Sequence, residues 1–221
     1  MSGVYVGWLD DGECQGTFTE SLLGMIVPGC MNRVIRGWIR YETGPVLDRA
    51  RNELAERFLR TDGEWLLSID SDMIFQPDLA DRLLEHADPE ERPIVSPVCY
   101  GITSDLGVFP SVFGVGELGF YVRHDLPVDQ LVRVDGVGAA CTLIHRTALE
   151  RIGEVGPGRW YDHLMLRGKP IGEDLSFCVR AAAAGIPIWV HTGIPIRHLK
   201  IRVAIDEPYY RQWRMSNGPT P

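Results

Sequence analysis

Two carboxylates one residue apart stand in Ile69-Asp70-Ser71-Asp72-Met73. They follow a continuous apolar run at 65–69 that has the length of a buried strand. Alternate side chains of an extended segment point the same way, so Asp70 and Asp72 can converge. Converging carboxylates repel unless one stays protonated or a cation lies between them. A hard divalent ion such as Mg²⁺ or Mn²⁺ suits oxygen ligands and is commonly completed by substrate phosphates. The plainer reading of the same residues is an acidic turn ahead of a helix at Pro77.

Three further groups carry possible chemistry. Gly172-Glu173-Asp174-Leu175 puts two acids at the start of a helix, where one carboxylate beside an acceptor hydroxyl would act as general base. Acids there also stabilise a helix N-terminus without any catalytic role. The preceding loop holds Trp160, Tyr161, Asp162 and His163, a set suited either to stacking on an acceptor ring or to anchoring a core. In Arg197-His198-Leu199-Lys200 a neutral imidazole can complete the shell of a divalent ion. Arg197, Lys200 and Arg202 can meet phosphate oxygens, or simply form an exposed basic loop. Arg49 and Asn52 share a helix face at i,i+3, with Arg51 between them. They suit a nucleotide or the Asp pair, or else a salt-bridged surface with Asp48, Glu53 and Glu56. His145 and His191 have no partner spacing and read as structural.

The elements that must position these groups alternate in type. An apolar strand at 4–9 runs into the turn Asp10-Asp11-Gly12, and a helix at 17–27 ends at Pro28-Gly29. Thr43-Gly44-Pro45 opens a helix through residue 60, with Thr43 as N-cap and Leu47, Ala50, Leu54 and Phe58 on one apolar face. The strand at 65–69 precedes a helix from Pro77 to 87 with Leu79, Leu83 and Leu84 inward, then a short strand at 93–98. This order implies an α/β domain with a largely parallel sheet, whose ligands sit at the carboxyl ends of the strands. Beyond it, 119–123 and 130–134 read as short strands of a hairpin or insertion. Residues 136–144 form an apolar, small-residue segment, followed by a helix at 147–152 and a long loop at 153–170. A helix at 174–184, a strand at 187–191 and a loop to His198 follow, and the tail from Asp206 frays in Ser-Asn-Gly-Pro-Thr-Pro.

Composition bounds the function. The 221 residues are 45% apolar and 24% charged, enough for one domain with a sizeable core and against wholesale disorder. Lys and Arg number 22 against 30 Asp and Glu, for a net charge of −8. That balance argues against nonspecific binding to nucleic acid or anionic membrane. Residues 61–92 alone hold ten acids and two bases, so the acidity is concentrated around the Asp-x-Asp. Five dispersed cysteines form neither a disulfide framework nor a zinc ribbon. The start MSGVYVGWLDDGE is not a signal peptide, and no stretch is long enough to span a bilayer, so a cytoplasmic protein is expected.

Taken in order, "LDRARNELAERFL", "EWLLSIDSDMIFQPDLADRLL", "GVGAACTLIHRTALERIG" and "GEDLSFCVRAAAAGIPIWVHTGIPIRHL" resemble the GT-A-type nucleotide-diphospho-sugar glycosyltransferases. The resemblance spans about 45–200 and suggests a compact bacterial or phage-encoded, family-2-like member. It implies a single GT-A domain at 1–205, with a mostly parallel central sheet flanked by helices and a small β insertion. Within it, 1–98 would be the nucleotide-binding half, 99–205 the acceptor half, and 206–221 a C-terminal tail. The implied activity is hexosyl transfer from a UDP- or GDP-sugar to a hydroxyl of a protein, glycan or lipid acceptor, with Mn²⁺ or Mg²⁺. Asp72 would bind the metal, Asp70 the ribose or the metal through water, and His198 would be the further protein ligand. Asp174, or in its place Glu173, would be the base of an inverting reaction. Arg49, Asn52, Asp10 and Lys200 would attend the donor, and Trp160, Tyr161 and Asp162 the acceptor. The first strand departs from the family by lacking the Pro-x-Tyr/Asn start of many members.

Other functions compete. A sugar-phosphate nucleotidylyltransferase shares the fold type but carries a Gly-rich basic loop after strand one, where this chain has Leu9-Asp10-Asp11-Gly12-Glu13. A non-catalytic metal- or carbohydrate-binding module would need no base at Asp174. A phosphatase of the Asp-x-Asp type places its nucleophile pair after the first strand, which this chain does not. Tyr209, Tyr210 and Trp213 offer a lid, packing against the sheet or a dimer contact, so a homo-oligomer stays open.

Overall fold

The computed structural model describes residues 3–43, 46–103, 107–155, 158–200 and 203–218. The chain opens on strand β1 (Val4–Asp10), helix α1 (Gly16–Met31), strand β2 (Ile35–Glu42) and helix α2 (Leu47–Leu59). Strands β3 (Trp65–Asp70) and β4 (Met73–Phe75), helix α3 (Leu79–His86) and strand β5 (Ile94–Pro97) follow. Four short strands come next, β6 (Tyr100–Ile102), β7 (Val108–Pro110), β8 (Val112–Gly116) and β9 (Gly119–Val122). After β10 (Leu131–Val134), β11 (Gly136–Val137) and β12 (Cys141–His145) the chain forms helix α4 (Arg146–Gly153). The hairpin β13 (Leu164–Leu166) and β14 (Lys169–Ile171) leads into helix α5 (Glu173–Ala183). Strands β15 (Ile188–His191), β16 (Ile196–Lys200) and β17 (Val203–Ile205) and helix α6 (Glu207–Asn217) close it.

Seven strands form the central sheet in the order β10-β15-β5-β12-β3-β1-β2. The sheet is mixed and not mostly parallel, which corrects the sequence expectation. The neighbours β2/β1, β1/β3 and β5/β15 are parallel, while β3/β12, β12/β5 and β15/β10 are antiparallel. The cause is β12, which comes back from the insertion and inserts between β3 and β5, so those two strands never meet. Hydrophobic periodicity identifies β12 as a buried strand but is blind to its direction.

The buried strands carry apolar residues on both faces because helices cover both. Along β3, Leu66 faces the layer of α2, α4 and α5, with Phe58, Leu149, Ile152 and Phe177. Leu67 and Ile69 face the layer of α1 and α3, with Phe18, Met25 and Leu83. Each face therefore has its own packed cluster, and β3 is pinned between them.

Several element boundaries differ from expectation. Helix α1 continues through Pro28 to Met31, because the amide lost at an exposed Pro28 falls in the last turn and Asn32 still donates to the Pro28 carbonyl at 2.9 Å. Strand β2, at the sheet edge, has no counterpart among the elements read from the sequence. Helix α2 starts at Leu47 with Val46 as N-cap, so Thr43 is not its cap, and Gly44 and Pro45 lie outside the described residues. The loop at 153–170 contains the β13 strand, and the loop before His198 is partly β16. The tail folds as α6, capped by the Asp206 side chain, which accepts from the Tyr209 amide at 2.9 Å. Tyr210 buries against Tyr100, ring centroids 5.2 Å apart, which secures the helix to the body of the protein. Arg202 and Pro219–Pro221 lie outside the described residues.

Candidate functional site

Asp70 is the last residue of β3, and Asp72 lies in the tight turn from β3 to β4. Both line a cleft of about 370 Å³ with Leu9, Asp10, Asp11, Thr43 and Leu47, at the carboxyl ends of β1 and β3. A cleft at that place in an α/β sheet is the usual ligand position.

Asp72 meets residues from the far end of the chain. Strand β16 pairs antiparallel with β4, setting His198 opposite Met73, and the Leu199 amide donates to the Asp72 carbonyl at 2.8 Å. His198 Nε2 then lies 3.1 Å from Asp72 Oδ1, and Lys200 Nζ 2.6 Å from Oδ2. The His198 ring is fixed from behind by the Tyr100 carbonyl, 2.8 Å from Nδ1. A carbonyl can only accept, so Nδ1 carries a proton and Nε2 faces the carboxylate. Burial pushes the Asp72 carboxyl up, but His198 and Lys200 outweigh it and hold the group at about 2.

Asp70 has a different partner. Arg51 Nη2 lies 3.0 and 3.1 Å from its two oxygens. The same guanidinium gives Nη1 to the Ala139 carbonyl at 3.4 Å, and its Nε stands 3.6 Å from Glu173 Oε1. Arg51 is 5% exposed, and Nε has no hydrogen-bond partner of its own. Arg51 thus joins the end of β3 to the start of α5, so the two acidic motifs belong to one site. Asp174, next to Glu173, turns toward Gly138 and accepts from the Leu175 amide at 2.7 Å in the first turn of α5. Burial and then the Glu173 charge push the Asp174 carboxyl up. A Cβ at Gly138 would lie 3.0 Å from the Ser111 Cβ and 3.7 Å from an Asp174 oxygen, so only glycine leaves this corner open.

The other expected residues are placed as follows. Asp10 lines the cleft, but its carboxylate is fully engaged: Arg40 donates to its two oxygens at 2.7 and 2.6 Å, and Trp8 Nε1 and the Gly12 amide add 3.1 and 3.0 Å. The Arg40 hydrogen bond leads in lowering its pKa. Arg49 is exposed, and Arg51 takes the inward position on α2 that the i,i+3 spacing assigned to Arg49. Asn52 is buried and staples the 160–162 loop, donating to Asp162 at 2.7 Å and accepting from the Tyr161 amide at 3.0 Å. Trp160 and Tyr161 are core residues: Trp160 Nε1 donates to the Leu149 carbonyl at 2.6 Å, and Tyr161 stacks on Phe177 at 4.8 Å. Neither ring is open to an acceptor, and the Asp162 carboxylate is spent on Asn52 and the Arg159 amide.

Sequence reasoning named Arg51 but preferred Arg49 to it, and it missed Arg40 as a partner of Asp10. Arg51 had a signal, because it precedes Ala55 and Phe58 by four and seven residues, on a helical stripe that buries. Arg40 had none, since it falls on the exposed phase of β2. The Tyr100 carbonyl had none, since any residue supplies one.

Among the described residues, no three His, Cys, Asp or Glu side chains form a ready-made metal cage. Asp72 and His198 are the pair that fits a divalent ion: one oxygen and one imidazole nitrogen, with the far side of the ring oriented by a carbonyl, as in protein metal sites generally. Two protein ligands would leave most of a six-ligand shell to water and phosphate.

The chain is similar in fold to A197 from STIV. The two structures align with a TM-score of 0.59 and 19% identity, over 95% of this chain and 92% of that one. A crystal structure of GalNAc-T7 with UDP, GalNAc and Mn²⁺ aligns at a TM-score of 0.48 and 12% identity, over 86% of this chain and 42% of that one. A glycosyltransferase involved in the glycosylation of the major capsid of PBCV-1 aligns at 0.38 and 12%, over 68% and 63%. The likeness to A197 covers almost the whole chain and bears on the fold alone. No protein-family model and no curated protein matches the chain.

Proposed function

We propose that the protein is a GT-A-like glycosyltransferase that moves a sugar from a nucleotide-diphospho-sugar to an acceptor hydroxyl. The observation that carries this reading is the pairing of His198 with Asp72, which lines a cleft at the carboxyl ends of β1 and β3. Residues 126 apart are brought together there by the β4–β16 ladder, with no stabilising need that an apolar pair would not meet better.

Asp72 and His198 would hold Mn²⁺ or Mg²⁺, which when bound supplies charge neutralisation for a leaving diphosphate. The chain's own residues do the rest. Asp70, aligned by Arg51, presents a carboxylate edge to the ribose side of the donor. Lys200 adds a cation for phosphate oxygens. In the inverting reaction the acceptor oxygen bonds to the anomeric carbon as the bond from that carbon to the diphosphate oxygen breaks. The electron pair leaves with the nucleoside diphosphate, and the hydroxyl proton passes to Asp174. Its raised pKa makes it a stronger base than an ordinary aspartate, as this step requires.

Purified protein incubated with UDP- and GDP-sugars and Mn²⁺ should release nucleoside diphosphate, faster once an acceptor is supplied. Asp174→Asn should cut transfer by about 10²–10⁴-fold while donor affinity is retained. Folded protein that neither binds nor turns over any sugar nucleotide overturns the proposal. Donor binding with transfer unaffected by Asp174→Asn would point to a different base.

A further inference from the structure

Four aspartates line the cleft, and three of them are held by a cation of the chain. Asp10 has Arg40, Asp70 has Arg51, and Asp72 has Lys200. The first two are guanidinium pairs: Arg40 is forked across both oxygens of Asp10, and Arg51 is buried and tied to a carbonyl as well. Lys200 is different. It offers a single ammonium on a flexible stem, is 35% exposed, and touches one oxygen only, Asp72 Oδ2 at 2.6 Å. It is therefore the cation that can leave. It also stands on one of the two residues that fit a divalent ion, and an ammonium and a divalent ion cannot share one carboxylate without strong repulsion.

We propose that Lys200 is a built-in competitor for the divalent ion on Asp72, so that metal and nucleotide-sugar bind cooperatively. The inference rests on the metal-assisted reading given above. In the protein without donor, Lys200 neutralises Asp72 and keeps metal affinity low. A diphosphate entering the cleft offers the ammonium a second, doubly charged partner. Lys200 then moves from Asp72 to phosphate oxygens, and the vacated Asp72 oxygen becomes a ligand. Binding of each partner thereby favours the other by the same factor. The Tyr100 carbonyl holds the His198 ring in place, so His198 would only exchange Asp72 for the ion at Nε2.

The test is Mn²⁺ affinity, read from the free-ion electron paramagnetic resonance signal, with and without UDP. Wild type, Lys200→Met and Lys200→Gln are compared, and Asp72→Asn defines the site. Without UDP, both Lys200 variants should bind Mn²⁺ about tenfold more tightly than wild type, since a like charge has been removed. UDP should tighten Mn²⁺ binding in wild type by about that factor and in the variants by much less. Equal or weaker Mn²⁺ binding by both variants, with wild type binding, overturns the competition and leaves the metal-assisted reading standing. No Mn²⁺ uptake by any form, with or without UDP, overturns both.

Discussion

Asp174 and Arg51 make opposite demands on the free energy of the fold. Asp174 is a carboxylate raised by burial and by Glu173, so its charged form costs stability once the pH exceeds its folded pKa. Below the unfolded value its contribution is fully present, and it is lost as the pH rises. Asp174→Asn should therefore raise Tm at pH 7 relative to wild type, with the gap closing toward pH 3, in the same variant that loses transfer. Calorimetry across pH checks this, and an unchanged Tm at pH 7 would refute it. Arg51 acts in the other direction. Its removal strands Asp70 and Glu173 in a partly buried corner, and Arg51→Ala should cost about 3 kcal/mol, measurable as a lower urea midpoint. Asp72 is depressed to about 2 by His198 and Lys200 against the effect of burial, so its contribution is present above the unfolded value and lost as the pH falls toward 2. Asp72→Asn should flatten the stability profile between pH 2 and 4.

At the level of elements, the site depends on one short ladder. Strands β4 and β16 are three and five residues long, yet their pairing sets His198 beside Asp72. Leu199→Pro removes the amide that donates to the Asp72 carbonyl. The expected outcome is at least about tenfold weaker Mn²⁺ binding while central-sheet amides keep their exchange protection, because the ladder is separate from that sheet. Much of this arrangement was legible in the sequence. The Asp-x-Asp after an apolar run lines the cleft, the later histidine contacts Asp72, and the Glu-Asp opening a helix is joined to Asp70 through Arg51. What was not legible is pairing across distance. Nothing local marks Tyr100 as the residue whose carbonyl orients His198, or separates Arg49 from Arg51 except the burial of Ala55 and Phe58. Trp160 and Tyr161 misled for a physical reason: aromatic rings serve a core and a binding face by the same apolar area, and only the tertiary contacts distinguish them.

For the whole molecule, a ligand that binds only the folded state adds stability by mass action. Mn²⁺ with UDP should raise Tm by more than the sum of their separate effects, and chelation with EDTA should reverse the gain. Among the described residues no helix is long and apolar enough to cross a membrane. The place of β12 has its own bearing on how the chain comes together. Strands β3 and β5 are both in place by residue 97, but each waits for Cys141–His145 to supply its missing neighbour. Until that strand arrives, the early part of the chain carries two bare hydrogen-bonding rims on its most apolar strands, the kind of edge that recruits other chains. A ribosome-bound chain of fewer than about 145 residues is thus a sticky intermediate by design of its topology, and a fragment ending at residue 98 should aggregate and not fold. The two sequence halves are not two bodies that meet but one sheet that the second half closes.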